Sequence, residues 1–496
     1  MQAIKSKSVN IIGAGLSGLA ASCLLAQAGF DVKVFEKNSK PGGRANFFEE
    51  DGFKFDMGPS WYWLPDVFEN FFKQFNKTVS DYYDLRKLDT SYRVYWQKED
   101  FTDIPAGMDK FLELAEDIEP GSGLRLKDFF AEAEKKYDIA VNDICREPGL
   151  SPFEFLKLKY LKAFLTCDSL SSVRSHIGKF VKDERLRQIL EFPMLFLGTA
   201  ANHTIALYSF MNHADTALST WFPMGGIHEI PRGIQSLAES LGVKFYFNTE
   251  ITAYDSSQGL IKTEDEQDFV SDILLVNADY EYFEQNILAK QDRVYDQNYW
   301  KSRTLCPSVL VFYLGVNKKL ESLQHHNIFF DYPYDINAHE IYNEPQWPSK
   351  PFIYISAASK TDPSLAPENS ENLFISIPIA AGLEDTEEIR NKHRTKILNR
   401  IEDIIGEEFI DNIVFERSYC IKDFQADYHS YQGNAFGLAN TLMQTHFLRP
   451  RVKSRKIENI YYCGHMTVPG PGMPTAILSV EIAAKQIIKD NATELK

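Results

Sequence analysis

The sequence predicts an α/β protein: a Rossmann-like βαβ unit built from discontinuous segments, accompanied by an α+β unit with a mixed sheet. Three observations carry this. A short apolar run, Val9-Asn10-Ile11-Ile12, meets a G-x-G-x-x-G turn at Gly13, Gly15 and Gly18 and passes into a helical apolar pattern. A second strand–turn–helix pattern occupies Asn459 to Asp490. Between them lie β-branched runs such as "PSVLVFYLGV" and "NLFISIPIA", suited to a sheet.

The opening stretch "VNIIGAGLSGLAASCLLAQAGF" also has the apolar look of a signal peptide or anchor, with Lys5 and Lys7 before it. Its glycines and the lack of an A-x-A-like site argue against that reading. After Gly18 the apolar positions Leu19, Cys23 and Leu24 keep helical spacing, and Gly29 stands as a helix stop. "DVKVFEK" then supplies a second strand ending in Glu36 and Lys37. In such a unit Gly13 permits the tight turn, Ala14 and Gly15 bring backbone N–H groups toward a pyrophosphate, and Gly18 lets helix and sheet pack. Glu36 accepts hydrogen bonds from a ribose and disfavours a 2′-phosphate. The stretch is read as a dinucleotide-binding turn.

"PGGRA" follows at Pro41 to Ala45. Gly43 and Arg44 place a forked cation beside a pliable backbone, a second contact for a pyrophosphate. By itself the pattern also fits a plain turn. Behind a dinucleotide fingerprint it resembles the second motif of flavoproteins related to amine oxidases and carotenoid desaturases, and the resemblance implies FAD. "FKFDMGPSWYWLPDVF" resembles that group's next stretch, in which a D-x-G-P turn carrying Gly58 and Pro59 approaches the flavin.

At the far end, "NIYYCGHMTVPGPGMPTAILSVEIAAKQIIKD" reads as a strand, a stiff Pro/Gly turn and a helix. It resembles the C-terminal signature of bacterial and fungal phytoene desaturases, keeping Gly464, Thr467, Pro469, Gly470, Gly472 and Pro474. It departs at His465, Met466 and Val468. The resemblance places Gly464, Gly472 and Met473 beside the flavin and Ile251 against adenine. It spans essentially the whole chain, with further matches at Val181 to Thr204 and Trp221 to Ile251. Residues 1–85, 222–290 and 415–496 are expected to form the FAD unit, and 86–221 with 291–414 the substrate unit.

Composition narrows the partners. A net charge of −16 argues against nucleic acid, whose phosphates need a basic face. Aromatics make up 13% of residues, enough for a large core and also for lining an apolar cavity. The six cysteines have no metal-type spacing and read as reduced thiols of a cytoplasmic protein. The adjacent His325 and His326 are read as surface residues, and no metal site is expected.

No segment reaches the ~18 uninterrupted apolar residues of a membrane span. Membrane contact is expected to be peripheral, through the helical part near 151–200. There "SPFEFLKLKYLKAFL" (Ser151 to Leu165) is either a buried helix with snorkelling lysines or an interfacial one.

The resemblance implies hydride transfer from a C40 or C30 polyene to FAD, most nearly as a phytoene desaturase, with oxygen or a quinone accepting the electrons. Other carotenoid-modifying flavoenzymes share its motifs, including later-step and diapophytoene desaturases, isomerases and ketolases. An amine oxidase using "WYW" (Trp61 to Trp63) in an aromatic cage is a third reading. A flavin-free prenyl-lipid escort protein is a fourth. No catalytic residue is assigned; Asp168, Glu191, His203, His213 and Asp215 read as structural.

Overall fold

A computed structural model of the chain describes residues 7–151, 171–197, 202 and 204–491. Its first layer is a five-stranded parallel sheet in the order Ile460–Tyr462, Ile273–Val276, Ser8–Ile12, Asp31–Phe35, Lys244–Tyr246. Three distant stretches of chain therefore share one sheet. A parallel sheet is covered on both faces, and alternate residues of each strand divide accordingly. Val9, Ile11, Val32, Val34, Ile273 and Leu275 enter one apolar cluster, while Ile12, Phe35, Leu274, Val276 and Tyr462 enter another.

On the first face lies the helix Leu16–Gln27, wedged between the helices Met473–Asn491 and Glu229–Ser240. Every residue from Leu16 to Leu25 is buried. A helix enclosed on all sides is apolar all round, which explains the anchor-like look of its sequence. Among the described residues no helix is long and apolar enough to cross a membrane.

The second layer is a seven-stranded mixed sheet. Its order is Ile413–Tyr419, Ser308–Val316, Glu371–Ile379, Ile353–Ser356, His326–Phe329, Thr90–Gln97, Asp100–Pro105. All neighbours are antiparallel except His326–Phe329 with Thr90–Gln97. One face buries Leu310, Phe312, Ile375 and Ile377 against Ile397, Leu398 and Ile401 of the helix Glu387–Ile405. The opposite face turns Val309, Val311, Tyr354, Phe374 and Ser376 toward the interior cavity described below.

The expectation that His325 and His326 lie on the surface is corrected. Both are buried, at 4% and 0% exposure, because His326 opens a strand that lies inside the sheet and is covered on both faces, and His325 immediately precedes it. Adjacent strand residues point to opposite faces, so the two rings enter different surroundings. Each finds a hydroxyl: His325 Nδ1 lies 2.7 Å from Thr361 Oγ1, and His326 Nδ1 lies 2.7 Å from Tyr354 Oη. The segment Ser151 to Leu165, together with Asp168 and His203, lies outside the described residues apart from Ser151 itself.

Ile375 is fully buried where the central strand meets the covering helix. Ile375→Ala is expected to destabilise the fold by about 2–5 kcal/mol through lost burial and a residual cavity. Chemical denaturation of the purified variant checks this.

Candidate active site

The first strand ends at Gly13, whose φ of +96° turns the chain sharply while its N–H donates to Phe35 O at 2.7 Å. A Cβ on Gly18 would stand 2.0 Å from Gly13 O, so helix and turn meet only with glycine there. The helix begins at Leu16 behind Gly15, which is extended and has no side-chain cap, leaving the first-turn N–H groups directed outward. A second glycine turn closes on this one. Gly42 N–H donates to Ala14 O at 2.8 Å, and a Cβ on Gly43 would lie 3.1 Å from Gly15 Cα.

Glu36 ends the second strand and is buried. Its Oε2 accepts the Ala14 N–H at 2.8 Å, and its Oε1 accepts both the backbone and the side-chain N–H of Asn38 at 2.9 Å. Burial pushes the carboxyl pKa up, and these bonds draw it back. Arg44 is also enclosed. Its Nη2 donates to Ser430 Oγ at 2.9 Å, and its guanidinium lies over the Tyr428 ring at 5.3 Å. Among the described residues Arg44 makes no ion pair and its buried Nε has no hydrogen-bond partner. Burial lowers its pKa, while the field of Asp279 raises it. Asp279 is itself pushed up to about 6 by burial.

The distant Pro/Gly turn lies against the same space. Gly464 N–H donates to Ser479 Oγ at 3.0 Å, the Val468–Pro469 peptide is cis, and Gly470 and Gly472 take φ of +134° and +119°. Gly58 packs so closely on the other turn that a Cβ would stand 2.7 Å from Arg44 O.

These elements enclose one cavity of about 930 Å³. It runs from the glycine turns past Gly58 and Pro59 to an apolar chamber walled by Leu64, Val141, Leu207, Phe210, Met211 and Phe374. Among the polar side chains that reach this cavity, which include Ser376, Thr204 and Tyr208, one set is hydrogen-bonded into a group. Tyr354 Oη donates to Ser60 Oγ at 2.8 Å and lies 2.7 Å from His326 Nδ1, and the His326 ring stacks on Trp61 with centroids 4.0 Å apart. A flat, two-ended space of this kind suits a dinucleotide at one end and an apolar ligand at the other.

The sequence profile of the flavin-containing amine oxidoreductases matches residues 16–488. The chain belongs to that family. It is an FAD-dependent oxidoreductase. Over 99% of its length it is 37% identical to the carotenoid 3,4-desaturase of Haloarcula japonica, covering all of that protein. This places it among the family's carotenoid desaturases. The ζ-carotene-forming phytoene desaturase of Myxococcus xanthus is 28% identical, with 98% and 94% of the two chains covered. Wild-type putrescine oxidase with bound putrescine shares the fold at a TM-score of 0.61 and 15% identity, covering 98% of this chain and 99% of that one.

Of the residues expected at the cofactor, Gly13, Gly15, Glu36, Lys37, Gly43, Arg44, Gly58, Pro59, Ile251, Gly464, Gly472 and Met473 all line the cavity of this flavoprotein. Ala14 and Gly18 stand behind it, the first bonding Glu36 and Gly42 and the second filling the turn. Lys37 Nζ is committed to Ala426 O at 2.6 Å. Of the "WYW" rings, Trp61 and Trp63 reach the cavity, while Tyr62 is buried elsewhere against Tyr83 Oη at 3.0 Å. Glu191 pairs with Arg174 at 2.7 Å. Sequence reasoning did not find Ser60, Tyr354, Ser376 or Tyr428. Strand alternation puts Tyr354 and Ser376 on one face, and only the register that sets them opposite each other makes a wall. Ser60 lies in a loop and Tyr428 ends the helix Ile421–Tyr428, where no such pattern marks them.

Asp215 lies in a π-helical turn, His213–Ala217, and its Oδ2 accepts the Tyr92 hydroxyl at 3.0 Å. Burial pushes its carboxyl up to about 7, while the Tyr92 bond draws it down. The folded state thus keeps a proton that the unfolded chain releases near 3.8. The resulting stability is full below the unfolded value and is lost as pH rises to about 7. Asp215→Asn removes this loss. Its stability advantage over the parent is expected to grow between about pH 5 and pH 8 by on the order of a few kcal/mol, read from denaturation curves.

Proposed function

We propose that the cavity holds FAD at the glycine turns and a long conjugated polyene in the apolar chamber, and that the protein is a carotenoid desaturase acting near the end of a C40 chain. The observation that carries the reaction is the full-length similarity to a carotenoid 3,4-desaturase, at higher identity than to the phytoene desaturase. The second reading is a phytoene desaturase, which the Myxococcus relative favours over the same length.

The residues fit the cofactor. Gly15 and Gly43 leave a strip of backbone free of Cβ atoms, and the half-buried Arg44, without an ion pair among the described residues, lines the same cavity. Together they supply N–H groups and charge for a pyrophosphate. In this reading Glu36 holds the ribose, Ile251 lies along the adenine, and Gly58, Pro59, Gly464, Gly472 and Met473 border the ring system. Bound FAD supplies the two-electron acceptor. The chain's own part is to exclude water, to hold the polyene along the Val309–Val311 and Phe374–Ser376 wall, and to accept the proton that leaves with the hydride.

Residues 1–85, 222–290 and 415–496 would then be the cofactor unit, with 86–221 and 291–414 the substrate unit. A polyene dissolves in lipid, so a membrane surface is its natural source. Oxygen or a membrane quinone would reoxidise the flavin.

Arg44→Met is expected to lower retained FAD at least tenfold, measured as flavin absorbance per chain after gel filtration; unchanged retention removes Arg44 from the cradle. Expression in cells accumulating lycopene, and separately phytoene, tests the step. Products with added terminal double bonds from lycopene alone support the first reading. Conversion of phytoene supports the second, and no product from either polyene overturns both.

A further inference from the structure

Dehydrogenation of adjacent carbons breaks two C–H bonds and forms one C=C π bond. One hydrogen departs with its electron pair to the oxidised flavin that the family activity provides. The other departs as a proton, its bonding electrons becoming the π bond. An apolar chamber has no place for that proton, because an isolated charge in such surroundings is very costly. The protein therefore needs a route out.

The polar group in the apolar wall points to one. Tyr354 and Ser60 both line the cavity, and the Tyr354 O–H donates to Ser60 Oγ at 2.8 Å. With that proton spoken for, the 2.7 Å contact to His326 is an Nδ1–H donating to the phenolic oxygen. His326 is fully buried and stays neutral, since burial and the neighbouring His325 hold its pKa far below the ordinary value. Its Nε2 has no hydrogen-bond partner among the described residues. It acts as a positioning residue, fixing the direction in which Tyr354 donates.

Ser60 also borders a second, smaller chamber of about 20 Å³, which it shares with Asp56, His228 and Ser356. That is room for a single water against these polar side chains, the rest of the wall being apolar. Asp56 Oδ1 lies 3.0 Å from His228 Nδ1, and His228 Nε2 lies 3.5 Å from Glu229 Oε1. Glu229 in turn pairs at 3.1 Å with Arg232, whose side chain is 73% exposed. Asp56 already accepts the N–H groups of Ile227 and His228, which accounts for its carboxylate but not for Ser60 and Tyr354 opening toward the cavity.

We propose that Tyr354 and Ser60 carry the substrate proton from the cavity into this chamber, from which Asp56 and His228 deliver it to Glu229 and the solvent. The phenolic oxygen of Tyr354 takes the proton as its own passes to Ser60 Oγ, and the serine's proton moves on to the chamber. No oxidant beyond the flavin is required. This rests on reading the protein as a carotenoid desaturase.

The test is anaerobic flavin reduction in the holoenzyme, mixed with lycopene or phytoene in phosphatidylcholine vesicles, for the parent, Ser60→Ala, Ser60→Thr and Tyr354→Phe. Ser60→Ala and Tyr354→Phe are expected to keep their FAD and slow reduction roughly 10- to 100-fold, the scale of a lost proton acceptor. Ser60→Thr, which keeps the hydroxyl, restores the rate. The parent reaction slows in D2O with a curved dependence on deuterium fraction, and Ser60→Ala straightens it. Equal rates in Ser60→Ala and the parent, equal slowing in the Ala and Thr variants, or no solvent isotope effect overturns the relay while leaving the desaturase reading intact. Absence of flavin reduction in the parent with either polyene overturns that reading and the relay with it.

Discussion

The close approach of the first helix to the turn that precedes it is the constraint on which the rest depends. Gly18 presents no Cβ where one would stand 2.0 Å from Gly13 O, so a helix buried over its whole first ten residues can lie directly on the sheet. Any side chain there would push the helix away, and with it the two helices that clamp it. The same proximity aims the helix's free N–H groups along the line where Gly43 meets Gly15. The helix that completes the core also forms one wall of the cavity, through Leu16 and Ser17.

The cavity joins two kinds of surface that ordinarily exclude each other. At one end are charges and backbone donors, with Glu36 and Asp279 buried, Arg44 half-buried, and all three shifted by burial away from their ordinary pKa values. At the other end the walls are aliphatic and aromatic. The seven-stranded sheet makes this possible, since its alternation turns one face to the covering helix and the other partly to Phe53 and Phe55 and partly to the cavity. The histidine pair in that sheet follows the same logic, each ring bonded to a hydroxyl on its own side.

What the sequence disclosed was whatever depends on short spacing. Gly13 to Gly18, Glu36, Arg44 and the Gly464 to Met473 turn are local patterns, and the fold gathers these segments around one cavity. The strands were legible for the same reason: Ser308–Val316 and Glu371–Ile379 are long, apolar and β-branched. The opposite wall was not legible, because Tyr354 meets Ser60 across 294 positions of sequence. His325 and His326 misled because two adjacent polar residues look solvated. Only a strand enclosed on both faces, with a hydroxyl waiting on each, hides them.

The order of strands in the parallel sheet has a consequence for how the protein is made. Its first two strands are made long before the partner at one edge, Ile460–Tyr462, and the helix Met473–Asn491 that covers Leu16–Gln27. The whole seven-stranded sheet must be synthesised while the N-terminal helix, apolar all round, waits for its cover. Until Met473–Asn491 exists, one side of Leu16–Gln27 has no native surface to lie against, so the two ends of the chain become stable only together.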